Sequence, residues 1–138
     1  MMQYTNDILQ KVLTLFIGTG AVIGAMMMWI DPIGMMCGCE PLLQMLRDKM
    51  PWPELFFTNF IPSGFVLLFF IGGTQLGSTI LLFKKHRCAS YAILACGILL
   101  MLWIGLEWYI FGFNAMSNIF FVLGIIEVLS AMCIFVVK

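Results

Sequence analysis

Apolar residues crowd into four long runs along this chain, and polar residues collect in the gaps between them. The runs cover about Val12–Ile30, Phe60–Phe83, Ala89–Phe111 and Ser117–Val137. At about 1.5 Å of rise per residue each is long enough to cross a hydrocarbon core of roughly 30 Å. None alternates apolar and polar positions with a period of two, so the many Phe and β-branched residues carry no strand signal. In lipid the backbone has to satisfy its own hydrogen bonds, which makes such runs helices. The pattern predicts an all-α polytopic membrane protein, a single domain built as a bundle of four transmembrane helices.

The gaps differ in kind. Lys84-Lys85-His86-Arg87 makes a tight basic turn between the second and third spans, and Gly112-Phe113-Asn114 a short turn between the third and fourth. The long connection is Asp31–Asn59, 29 residues that hold four of the five prolines. Within it, Leu42, Leu43, Met45, Leu46 and Met50 fall near helical spacing, with Gln44, Arg47, Asp48 and Lys49 interleaved. That pattern predicts a short amphipathic helix from about Pro41, lying in the interface as a lid over the bundle. Pro51-Trp52-Pro53 stops it, and Pro62 sits in the first turn of the second span, where a missing N–H costs nothing. Small residues mark candidate packing faces: Gly20 and Gly24, Gly73 and Gly77, and Gly97 and Gly105, within one chain or between protomers.

Composition agrees with lipid as the solvent. The chain has 138 residues, 62% hydrophobic and 10% charged, against about 45–50% and about 25% in soluble domains. Seven basic and seven acidic residues cancel. No basic block exists to neutralise a run of phosphates, so nucleic acid is not an expected partner. The first run is too long for a signal-peptide core and only Lys11 precedes it, so it is expected to be retained. Lys84, Lys85, Arg87, Lys11 and Lys138 fall on one side of the predicted bundle and only Arg47 and Lys49 on the other. The positive-inside rule then puts both termini and the basic turn in the cytoplasm and the long loop outside. Trp29, Trp52 and Trp108 map near the outer interface as aromatic anchors.

Two glutamates lie inside the spans, Glu107 and Glu127. A charge at mid-bilayer costs roughly 2.5–3.5 kcal/mol or more. Such a group faces the bundle interior, a partner or a ligand, or it is protonated. Glu127 falls near the midplane, and Glu107 lies shallower by roughly 9 Å at helical rise. Gln75, Thr74, Ser78, Tyr91, Tyr109 and Asn118 are candidate donors to them. Trp103 shares a helix face with Glu107 at i, i+4, and Trp103, Trp108 and Tyr109 are placed to wall an outward-opening pocket. Each glutamate is also readable as packing glue across helices. Asp31-Pro32 reads first as a helix stop, and alternatively as a second carboxylate beside Glu107 in one outer vestibule. The candidate ligand-binding set is Glu107, Trp103, Asp31, Trp108, Glu127 and Gln75.

Other motifs add less. Cys37-Gly38-Cys39 in the outer loop is a candidate redox pair, weaker than a Cys-x-x-Cys, and read equally as two thiols without redox work. No metal site is expected, because the only histidine, His86, lies across the membrane from that pair. Met26-Met27-Met28 points in three directions on a helix and cannot converge on one ion. Cys88, Cys96 and Cys133 are expected as buried small hydrophobes.

Asp31-Pro32-Ile33-Gly34 after the first span, Ile61-Pro62-Ser63-Gly64 opening the second, a basic turn, then Gly97 and Trp103-Ile104 leading to Glu107, resembles the small DoxX-like four-helix membrane proteins. The resemblance covers about residues 12–136 and puts Asp31, Pro62 and Glu107 at matching positions. It implies a four-helix membrane fold and an association with thiol or quinone redox systems. It assigns no catalytic cysteine, and Cys37 and Cys39 lie outside its pattern. Three functions follow as expectations. The first is binding of a lipid, quinone or other amphiphile in an outward-facing pocket, as an accessory subunit. The second is an enzyme, a thiol–quinone oxidoreductase subunit using Cys37 and Cys39 or a lipid-modifying enzyme using Glu107. The third is a small proton-coupled transporter with Glu127 as its proton site. Membrane lipids are the expected partners, with a homo-oligomer or larger membrane complex open.

Overall fold

The computed structural model describes residues 2–36, 38–49 and 58–137. Every regular element among them is helical. Helix α1 runs Met2–Ile30, α2 Glu40–Lys49, α3 Ile61–Phe83, α4 Ala89–Phe111 and α5 Ala115–Val137. Four of these, α1, α3, α4 and α5, are long and apolar enough to cross a membrane. These four apolar helices make the chain a multi-pass membrane bundle, and its exposed apolar side chains are compatible with lipid contact.

The chain folds up and down as two packed hairpins. α1 lies along α3, α4 along α5, and the pairs meet where α3 touches α4 and α1 touches α5. One end of the bundle, the loop end, carries Asp31, α2 and the Gly112 turn. The other, the terminal end, carries Met2, the Lys84–Arg87 turn and Val137. Pro62 stands in the first turn of α3, as its missing donor allows. Gly112 ends α4 at φ +78°, a conformation open to glycine, which lets α5 start after a short turn.

Helix α1 begins about ten residues earlier than the apolar run suggests. Asn6, Gln10 and Thr14, spaced four apart, form its inward stripe. Asn6 donates to the Ser130 carbonyl at 3.0 Å, Gln10 to Ser130 Oγ at 3.3 Å, and Thr14 accepts from Thr79 Oγ1 at 2.9 Å. Polar residues that look like the flank of a span are its packing face. Lys11 pairs with Asp7 at 2.7 Å and sits 5.2 Å from the Phe83 ring centroid, at the level where α3 ends.

The glycine expectations divide. Gly24 meets Leu67 across the α1–α3 contact, and Gly97 lies against α5. Gly77 and Gly105 face open space. Gly18, Gly64 and Gly72 join Gly24 in the α1–α3 contact. Leu67–Gly73 of α3 is a π-helical turn, and it falls where a Cβ added at Gly72 would meet Ala21 and Val22 of α1 at 3.5 Å. Local widening of this kind leaves no mark in hydropathy.

Helix α2 is amphipathic as expected. Leu43 and Leu46 are buried with Phe60 and Ile110, while Gln44, Arg47, Asp48 and Lys49 are exposed. Lys49 Nζ donates to the Tyr109 carbonyl at 2.7 Å, and Arg47 donates to the Thr58 carbonyl, so α2 is tied over the loop end of α4. The Pro51-Trp52-Pro53 stop lies outside the described residues. Trp29 stands at the loop end, donating to the Ile61 carbonyl at 3.3 Å. Trp108, half-buried near the loop end of α4, packs between the Phe113 and Phe121 rings at 5.0 and 4.6 Å. Of the three outlying cysteines only Cys96 is buried; Cys88, in the turn before α4, and Cys133, on α5, are exposed.

Candidate functional site

Two polar centres occupy the bundle at different depths. The deeper one lies where α1, α3 and α5 meet. Gln75 and Glu127 are both fully buried, and Gln75 Nε2 donates to Glu127 Oε2 at 2.9 Å. Ser130 Oγ donates to the Glu127 carbonyl at 2.8 Å and accepts from Gln10. Thr79 Oγ1 bonds the Gln75 carbonyl at 3.0 Å as well as Thr14. Ser78 Oγ lies 3.0 Å from Cys96 Sγ and brings α4 into the same layer. The result is a polar spine, closed to solvent, that joins all four spans. Glu127 Oε1 and Gln75 Oε1 are buried without a hydrogen-bond partner among the described residues.

The shallower centre is at the loop end. There Glu107 is clamped by two donors: Trp103 Nε1 at 2.8 Å to Oε1 and Ser117 Oγ at 2.7 Å to Oε2. Trp103 reaches it because i and i+4 share a helix face. Ser117 reaches it because the Gly112 turn is tight: Glu107 and Ser117 lie equally far along the chain from Gly112, hence at one depth on antiparallel helices. Each carboxylate oxygen keeps a further acceptor position.

Glu107 faces a cavity of about 450 Å³ between the loop ends of α1, α4 and α5, closed on one side by α2. Met27, Met28, Leu42, Phe60, Phe111 and Met116 supply its apolar wall. Asp31 lines the same cavity, so the two carboxylates share one vestibule. The turn that brings Asp31 there follows the end of α1. Asp31 Oδ2 accepts the Met36 N–H at 2.9 Å, Gly34 turns the chain at φ +79°, and Cys39 N–H closes the loop on the Gly34 carbonyl at 2.8 Å.

The sequence-predicted residues thus separate. Asp31 and Glu107 line the cavity. Trp103 bonds Glu107 but is not in the lining, and Trp108 packs away from it, because the helix turns its ring toward Phe113 and Phe121. Glu127 and Gln75 belong to the deeper spine. Cys39 lines the cavity, while Cys37 lies outside the described residues. No cluster of metal-ligating side chains occurs among the described residues. Ser117, Gln10, Thr14, Thr79 and Ser130 carry the two centres and were not singled out beforehand. The register about Gly112 and the four-residue spacing along α1 are the signals that reveal them. No protein-family model, curated protein or solved structure matches this chain.

Proposed function

We propose that this protein binds an amphiphile from the membrane in its loop-end cavity, with the polar head at Glu107 and Asp31 and the tail along the methionine and phenylalanine wall. The observation that carries the reading is the cavity itself: about 450 Å³, apolar, and charged at only two named residues among those described in its lining. That volume and a lining of this character are those of small-molecule sites, where a few placed polar groups fix orientation. Methionine side chains adapt to irregular apolar partners. The loop end faces away from the cytoplasm in this proposal, following the charge asymmetry of the connections, and α2 lies in the interface above the site.

Photolabelling tests the proposal. The protein in lipid nanodiscs is exposed to a neutral alkyl diazirine, and the modified peptides are mapped. Label is expected at Met27, Met28, Phe111 and Met116, and is reduced by Leu42→Trp, which fills the cavity from α2. Label spread over lipid-facing residues such as Phe69 and Phe83, unchanged by that substitution, would contradict it.

A further inference from the structure

The cavity's hydrogen-bonding character is one-sided. Its two charged groups are both acceptors, Asp31 and Glu107, and no lysine, arginine or histidine lies among the described residues that line it. Its side-chain donors among the described residues are few, and the one hydroxyl and one of the amide N–H groups are engaged within the protein. Ser117 Oγ–H goes to Glu107 at 2.7 Å, and Asn114 Nδ2 donates to the Gly112 carbonyl at 3.4 Å. The nearest cations of the loop end, Lys49 and Arg47, point at the Tyr109 and Thr58 carbonyls. Two aromatic rings, Phe60 and Phe111, belong to the lining as well.

A ligand head that brings only acceptors finds few donors and two carboxylates in such a site. A quinone offers two carbonyls, and a phosphate or sulfate adds negative charge beside two carboxylates. A protonated amine or quaternary ammonium suits it better: opposite charge in the two carboxylates, further acceptor positions on Glu107, and aromatic rings in the wall. The Trp103 and Ser117 bonds hold the Glu107 carboxylate in place, so little ordering is left for the ligand to impose. We infer that the loop-end cavity selects a cationic amphiphile, an apolar tail bearing an ammonium head. The inference rests on the amphiphile-binding function proposed above and fixes the chemical class of its ligand.

The test uses four probes with the same dodecyl tail, bearing an amine, a trimethylammonium, a hydroxyl or a sulfate head, together with a short-chain quinone. Binding to the full-length protein in nanodiscs is read by quenching of tryptophan fluorescence, with Leu42→Trp corrected for its added indole as the filled-cavity control. The amine and trimethylammonium probes are expected to bind at least about tenfold tighter than the sulfate and hydroxyl probes, a difference of about 1.4 kcal/mol. Glu107→Gln, which keeps an acceptor for Trp103, and Asp31→Asn should each shrink that preference while leaving hydroxyl-probe binding in place. Equal or tighter binding of the sulfate or quinone would overturn the cationic assignment and leave the cavity as an amphiphile site. Failure of every probe to bind beyond the Leu42→Trp control would overturn the underlying function, and the assignment with it.

Discussion

Replacing Glu127 by leucine is expected to destabilise the bundle by about 1–3 kcal/mol, and replacing it by glutamine to leave stability unchanged or raise it. The two outcomes follow from the same contact. Gln75 Nε2 donates to Glu127 Oε2 at 2.9 Å in a fully buried layer. Leucine fills much of the volume but abandons the amide of Gln75, whose Oε1 already has no partner among the described residues. An unpaired buried polar group loses its full desolvation cost, whereas a single interhelical hydrogen bond in lipid is worth only about 0.6 kcal/mol on average. The orphaned amide therefore dominates over the bond itself. Glutamine keeps an acceptor for Gln75 and brings a donor to a site where two oxygens, Glu127 Oε1 and Gln75 Oε1, lack one. Unfolding titrations in a denaturing detergent measure both variants. A glutamine variant as unstable as the leucine one would contradict this and show that the layer depends on the carboxyl group itself rather than on an acceptor for Gln75.

The second large effect is at Gly97. A Cβ built there lies 2.7 Å from Val128 Cγ2 and 3.1 Å from both the Val128 nitrogen and the Gly124 carbonyl. Two of those three neighbours are backbone of α5 and cannot turn aside. Glycine at this crossing lets α4 and α5 approach closely, which is how membrane helices gain packing energy without a hydrophobic drive. Gly97→Val is expected to cost at least about 1–3 kcal/mol through overpacking. Because the α4–α5 hairpin sets Glu107 opposite Ser117, it should also weaken ligand binding. Gly105→Ala on the same helix meets nothing within 4 Å and should leave stability within about 1 kcal/mol of the parent or raise it. Thermal melts of the two variants in the same detergent separate the cases. Equal tolerance at both positions would mean that the α4–α5 contact is looser than described.

The spans were legible in the sequence because hydropathy over some twenty residues reports lipid exposure directly. So was the amphipathic pattern of α2, whose Leu43 and Leu46 fall on one face. Helix α1 starts earlier than its apolar run because Asn6 and Gln10 are polar and inward, and hydropathy cannot tell a polar flank from a polar seam. The seam shows in their spacing of four, which is a statement about a helix face rather than about average hydropathy. Glu107 and Glu127 stood out by cost alone, since lipid penalises a carboxylate wherever it points. Their partners did not: Ser117 is one serine among several, and only its register about Gly112 links it to Glu107. Composition marks Trp108 as aromatic but does not say which neighbours its ring meets; those are Phe113 and Phe121. The π-helical turn at Leu67–Gly73 leaves no compositional trace, and the residues that meet there, Gly72 and Ala21, look like any small residues in a span.

The claim that matters most is that the loop-end cavity holds a molecule. Native mass spectrometry of the protein released from mild detergent tests it most directly, with the parent chain compared against Leu42→Trp. The account predicts one defined extra mass on the parent, retained on gentle activation and lost from the Leu42→Trp variant. A bare chain, or scattered phospholipid adducts identical in the two proteins, would contradict it, and Glu107 would then be a clamp that joins α4 to α5 and nothing more.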